Sequence, residues 1–466
     1  MLSFFRKKMK IIMIVVAFVF SFSIFYGLGY SGFSKFSTTE KDKALLKVNG
    51  KRVDIITFNN IFSRLRQNFP ERIKPSDILF LQNMALSQTI DFSIMLDEAQ
   101  KKVRVSRDEL NEALKQIAEQ EKLKNISELK KAIESSHISW DRFKEMIKDD
   151  LLVKKINEKI YGSVEINPND LREIKVSHIL VKVKNEKDGD QKAKELIEKI
   201  KTAIQKGENF SVLAKKYSED PGSKDKGGDL GFFSTGTMVK PFEDLAFSLK
   251  VSEIGGPVKT EYGYHIIKVV DARLKKIPGE KNIEAAVLKE KQNKAFQDWF
   301  YEIKKNAKVE ILDPSLKALD LRFKGQIADA IAEYNKAIAD NPNNAYYRLF
   351  LGLLYEDTKN LKQAISQYKE AIRLETADPT IYLVLGKAYL KNSQKDLAVS
   401  QFKRASLIAG DDKLMHKDLE KEFLDLGLKP LALAEKQEIV RIEKRELFED
   451  SLRKNSGKVS DKIVTD

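Results

Sequence analysis

The chain has 466 residues, no cysteine and a formal net charge of +14 at pH 7. That length argues for roughly two to four domains rather than one core. The missing thiol excludes disulfides, cysteine-ligated zinc, a thiolate nucleophile and a lipid anchor on cysteine. The basic excess is interleaved with acids and forms no stripe, which fits a lysine-rich surface and speaks against nucleic-acid binding.

Arg6 to Lys10 is basic, and Ile11 to Ser34 carries no charge. Its apolar part is about as long as the ~20 residues of helix that a bilayer core requires. The basic cluster ahead of it predicts a cytoplasmic N-terminus with the bulk of the chain outside. A cleaved signal peptide is the competing reading. The run ends in "FYGLGYSGF" with no Ala-x-Ala site, so the expectation is a retained anchor over residues 1–34.

After a polar linker, "VNGKRV" predicts a small hairpin turning at Asn49-Gly50. From Thr57 to Ile160 apolar residues recur at three and four spacing, which predicts helices. "NPND" (Asn167 to Asp170) breaks that pattern. Ile174 to Val183 alternates and is β-branched, so it predicts a strand. Helices follow over Gln191–Gln205 and Phe210–Tyr217, then a glycine-rich stretch, a short helix at "KPFEDLAFSL" and a strand at "YGYHIIKVVDA". This alternation over ~100 residues predicts a compact α+β domain. Lys281 to Lys305 returns to amphipathic helix ending in "KNAKVEIL". A helical domain interrupted by a compact insertion fits the order.

From Ile311 onward residues repeat with a period of 34: Gly352 and Gly386; Ala330, Ala364 and Ala398; Tyr334, Tyr368 and Phe402. That period of small and aromatic residues matches the tetratricopeptide repeat, and three repeats suffice for a stable stack. The first repeat has Ala318 where the others have glycine. A capping helix and a flexible tail are expected after it.

The blocks "VSHILVK", "FSVLAKKYSEDPGSKDKGGDLGFFSTGTMVKPFEDLAF" and "GGPVKTEYGYHIIKV" lie in order between Lys175 and Asp271. This segment resembles a parvulin-type peptidyl-prolyl isomerase across essentially the whole of that domain. The wider chain is similar to membrane-anchored or periplasmic folding factors of the SurA and PpiD kind, in which a parvulin domain interrupts a helical chaperone domain. A C-terminal repeat array departs from the better-known members. The resemblance implies a proline pocket from Leu230, Phe233, Met238 and Phe242, with Tyr262 where parvulins often carry a small hydroxyl residue. It also implies that His178 and His265 pair across neighbouring strands and that Asp220 stands where some members carry cysteine. Leu230 fits a core or a pocket equally, and Asp220 fits both a site role and a turn before Pro221. Leu230 apart, glycine-rich surroundings favour the pocket for Met238 and Phe242.

Rotation about an X–Pro bond faces a barrier of ~18–20 kcal/mol. No proton has to move. The twisted transition state has lost amide resonance and carries less charge on its carbonyl oxygen. Catalysis therefore needs an apolar grip on the ring and a site that disfavours the planar form. The loop "KNEKDGDQKAK" lacks an arginine pair, which disfavours recognition of phosphorylated residues. No metal or cofactor is expected. His137 and His416 are assigned no role.

The expected fold is multidomain. It comprises a transmembrane helix (1–34), a split all-α chaperone domain (40–165 and 280–311) and an α+β parvulin domain (170–273). An α-helical tetratricopeptide solenoid (312–412) and a cap with tail (413–466) complete it. The expected function is a membrane-anchored, extracytoplasmic isomerase and chaperone for unfolded or newly exported polypeptides, with a protein or peptide partner at the repeats. The alternative is a non-enzymatic holdase or scaffold.

Overall fold

The computed structural model describes residues 44–67, 74–136 and 138–463, without the side chains of 450 and 452–463. The expected anchor and His137 lie outside the described residues. Among the described residues no helix is long and apolar enough to cross a membrane. The chain divides into two compact units: residues up to 154 together with those from 302 onward, and residues 155–301.

The first unit begins with the hairpin β1 (Leu46–Val48) and β2 (Lys51–Val53). Asn49 and Gly50 both have positive φ, 51° and 81°, as a two-residue primed turn demands. The expectation of an all-α domain needs correction here. The helix expected to run through residue 311 stops earlier, and Val309–Ile311 forms a strand, β7, antiparallel to β1, giving the order β2-β1-β7. Val48 pairs with Val309 and Leu46 with Ile311. Asn49 locks the junction: its N–H donates to the Lys308 carbonyl at 2.8 Å, and its Oδ1 accepts from Lys308 N–H at 2.9 Å.

Helices α1 (Ile55–Gln67) and α2 (Pro75–Lys102) pack on this sheet. Helices α3 (Arg107–Gln120), α4 (Ile126–Ser135) and α5 (Trp140–Gly162) close a second core around Leu114, Leu129, Ile133 and Phe143. Ser106 and Glu109 form a capping box that starts α3.

The repeats are helix pairs: α10 (Pro314–Phe323) with α11 (Ile327–Asp340), α12 (Ala345–Asp357) with α13 (Leu361–Leu374), and α14 (Pro379–Lys391) with α15 (Lys395–Ile408). (The return helix before them, Ile283–Lys305, is α9, described below.) Gly352 lies against the Tyr368 ring and Gly386 against the Phe402 ring so closely that a Cβ would overlap each. That overlap is the physical reason for glycine at the period. Where one capping helix is expected, a fourth pair stands: α16 (Lys413–Asp425) and α17 (Lys429–Ile463), the latter continuing past Lys454. His416 is buried between them. Its Nδ1 lies 2.6 Å from Glu435 and its Nε2 3.1 Å from the Gly410 carbonyl. One apolar core runs from Leu46, Phe58 and Ile94 through Leu316 and Tyr334 to Phe402 and Phe423. The repeats and the N-terminal sheet therefore share a core.

The second unit is a four-stranded antiparallel sheet, order β4-β3-β6-β5, built from β3 (Arg172–Val181), β4 (Asp229–Phe233), β5 (Ile254–Thr260) and β6 (Gly263–Leu274). Helices α6 (Gly189–Gln205) and α7 (Phe210–Tyr217) cover one face against Ile179, Val181 and Ile266. Helix α8 (Lys240–Ser248) covers the other, against Ile174, Val176, Ile267 and Val269. Strand alternation puts His178 with Val176, and His265 with Ile267, on the α8 face.

Candidate active site

In the β3–β6 register Leu180 pairs with His265 and His178 with Ile267, so the two histidines are diagonal neighbours on one face. Their Nδ1 atoms are 3.2 Å apart and both rings are buried. The loop after α7 reaches His178 because Gly228 lies on its backbone: His178 N–H donates to the Gly228 carbonyl at 2.9 Å. Gly228 has φ +86°, and a Cβ there would collide with the His178 carbonyl.

His178 Nε2 lies 2.9 Å from Asp220 Oδ2 and 3.0 Å from Ser223 Oγ. Ser223 Oγ also contacts Asp220 Oδ2, and the Gly222 N–H donates to Asp220 Oδ1 at 3.3 Å. At the far end Thr260 Oγ1 is 2.8 Å from His265 Nε2 and accepts from the Tyr262 N–H at 3.1 Å.

The neighbours assign the protons. An ionised carboxylate only accepts, so His178 Nε2–H donates to Asp220. Neutral His178 then accepts at Nδ1, and His265 must donate from its own Nδ1. His265 Nε2 is left to accept from the Thr260 hydroxyl. The chain reads Thr260 to His265 to His178 to Asp220, each link donating toward the carboxylate.

Burial pushes His265 down to about 4, with His178 beside it acting the same way. Burial lowers His178 too, opposed by Asp220. Burial would raise Asp220, but hydrogen bonds from Ser223, His178 and the Gly222 N–H hold it down to about 2. Two neutral imidazoles thus end on one carboxylate.

Phe242 sets its ring edge-on to both imidazoles, at 5.6 Å from His178 and 5.3 Å from His265, each at 81°. It is 3% exposed, and Phe233, 5% exposed, packs behind it against Phe247. Leu230 and Met238 are partly buried against this cluster. Tyr262 stands apart from these rings: it sits in the β5–β6 turn, 58% exposed, and meets the network only through its backbone N–H.

Models of three families match the chain. A PPIC-type PPIASE domain covers residues 159–273, a SurA-like N-terminal domain residues 1–157 and a tetratricopeptide repeat residues 316–380. Foldase protein PrsA 3 of Bacillus anthracis is 33% identical over 276 residues, which span 59% of this chain and 86% of that protein. The chain belongs to the PrsA foldase family. A PrsA foldase of Caldanaerobacter subterraneus is 30% identical over 312 residues, spanning 63% of this chain and 97% of that one. A crystal structure of the PrsA peptidylprolyl isomerase from Bacillus cereus is 28% identical and covers 57% of this chain and 91% of its own, with a TM-score of 0.28. As a PrsA-type foldase with a parvulin domain, the protein is a peptidyl-prolyl cis-trans isomerase that assists folding.

Three hydroxyls of this PrsA-type site carry no signal in the sequence. Ser218, Ser223 and Thr260 all bond into the network or its supporting loop. The small hydroxyl residue that faces His265 is Thr260, two residues before Tyr262. Thr260 pairs with Gly263 across a tight turn, and that hairpin turns its Oγ1 to His265.

Proposed function

We propose that the protein is a membrane-anchored, extracytoplasmic foldase that rotates X–Pro bonds of exported polypeptides without a covalent intermediate. The observation that carries this is the closed chain from Thr260 to Asp220, which contains no thiol and leaves no base poised to deprotonate a nucleophile. Met238 and Leu230, backed by Phe242 and Phe233, grip the proline ring. The carboxylate at the end of the histidine chain repels the negative carbonyl oxygen of the planar amide more than that of the twisted one. This lowers the barrier differentially. The apolar wall strips water, which would otherwise favour the planar form.

The split domain over 40–165 and 280–311 holds the unfolded client, and the repeats over 312–412 bind a protein or peptide partner. The concave face of such a stack suits an extended segment, and a small pocket on the repeats is lined by Leu353, Leu383, Val384, Lys387 and Lys391 together with Lys74, Pro75 and Ser76 at the start of α2. The basic residues 6–10 and the uncharged stretch after them support a cytoplasmic N-terminus. Isomerisation of an Xaa-Pro peptide by the wild type and by Met238→Ala tests the site. A protease added outside the membrane tests the topology: it should degrade the chain after Ser34.

A further inference from the structure

Asp170 closes a short 3-10 turn, Pro168–Leu171, immediately before β3, and is 8% exposed. Its carboxylate collects hydrogens from three directions. Oδ2 accepts from the Asn167 N–H at 2.8 Å and from Lys291 Nζ at 2.5 Å. Oδ1 accepts from Thr235 Oγ1 at 3.0 Å. Lys291 belongs to α9 (Ile283–Lys305), the helix to which the chain returns after the parvulin sheet. The same ammonium donates to the Glu165 carbonyl at 3.0 Å, and Gln292 donates to the Tyr161 carbonyl at 3.2 Å. All these groups lie within the second unit.

Thr235 lies in the loop from β4 to α8 that carries Met238. The other side of this loop is pinned from within the sheet domain: Glu243 Oε2 accepts from the Gly236 N–H at 2.7 Å and the Met238 N–H at 3.5 Å. The loop therefore has two anchors. One belongs to α8, and the other runs through Asp170 to α9. A brace that merely tied α9 to the entry turn would need only Lys291, Asp170 and Asn167. The second oxygen, reaching Thr235, extends it to the pocket loop. A buried carboxylate whose cation is removed is left strongly unfavourable, so the loop anchor depends on Lys291 staying seated.

We propose that Lys291, Asp170 and Thr235 form a positioning relay through which the return helix α9 sets the Met238 loop and hence the grip on the substrate proline. The relay rests on Met238 lining the proline pocket. It makes the isomerase pocket sensitive to how α9 is seated against the entry turn of the sheet.

The test uses the full chain and measures kcat and KM on an Xaa-Pro peptide for Thr235→Val, Lys291→Met, their double variant, Thr235→Ser and Met238→Ala. Thr235→Val removes only the loop link and keeps the buried Asp170–Lys291 pair, so it decides the matter even where Lys291→Met fails to fold. The expected result is a KM raised about tenfold in Thr235→Val with kcat little changed, since a misplaced binding residue acts on ground and transition state alike. Thr235→Ser restores KM, and the double variant is no worse than the more affected single. If Met238→Ala leaves KM unchanged, the pocket reading fails and the relay with it. If Met238→Ala raises KM while Thr235→Val does not, or if the two losses multiply in the double variant, the relay alone is overturned.

Discussion

His178 and His265 meet Nδ1 to Nδ1 at 3.2 Å, a geometry that lets only one of the two nitrogens carry the proton. Asp220 decides which. By taking the His178 Nε2–H it makes His178 the acceptor and His265 the donor. The direction of each link from Thr260 through His265 to His178 follows from that one carboxylate.

Both imidazoles should titrate below the ordinary histidine value. Burial lowers both imidazoles, His265 to about 4. Isomerase activity should hold steady as pH falls through the ordinary histidine value of about 6.5. It should then drop as His265 approaches protonation, because imidazolium cannot accept from Thr260. A depressed folded-state value means that the site contributes stability above the unfolded histidine value, and that this is lost as pH falls toward about 4. An NMR titration of the two imidazoles checks both points.

Thr260→Val removes the donor to His265 Nε2, and Asp220→Asn removes the carboxylate that orders the chain. Each should lower kcat/KM by about tenfold or more, within the range expected for a mis-set catalytic geometry. Thr260→Ser should recover most of the loss. Peptide isomerisation at fixed pH reads these changes.

Gly352→Ala and Gly386→Ala place a methyl into the Tyr368 and Phe402 rings. Each should destabilise the repeats by about 1–3 kcal/mol, the usual range for overpacking. Because the repeats share a core with the N-terminal sheet, the loss should appear in the unfolding of the whole first unit. A denaturant melt followed by far-ultraviolet circular dichroism, to which the repeat helices contribute, reports it.

His416 behaves oppositely to the site histidines. Glu435, with help from the Gly410 carbonyl, outweighs burial and raises it. Both ring nitrogens face acceptors, so the imidazolium satisfies both. Glu438 adds to the negative surroundings. The docking of α17 on α16 should therefore be strongest below the ordinary histidine value and weaken as pH rises through the raised one. Hydrogen exchange in α17 across that range measures it, and His416→Gln should flatten the dependence.

Much of the fold is legible in the amino-acid sequence alone. Alternation through Ile174–Val183 and the repeat at Ala330, Ala364 and Ala398 are local signals, and local signals survive in one dimension. The third strand at Val309–Ile311 is hidden there because three residues carry no period, and its pairing spans the 263 residues between Lys47 and Glu310. Thr260 escapes notice because a hairpin, not spacing, turns its hydroxyl to His265. Tyr262 draws attention because parvulins often carry a small hydroxyl residue at its place, and its side chain is exposed in the turn. Asp170 looks only like part of a helix breaker, since its relay partners, Thr235 and Lys291, come from distant parts of the chain.

The proposed site rotates the X–Pro bond non-covalently, in a proline pocket above an ordered histidine chain. The most direct measurement is cis-to-trans isomerisation of an Xaa-Pro peptide by the wild type, Met238→Ala and Asp220→Asn, side by side. The wild type should exceed the buffer rate, and both variants should fall well below it while remaining folded. A wild-type rate equal to buffer, or variants that match the wild type, would contradict the site described here.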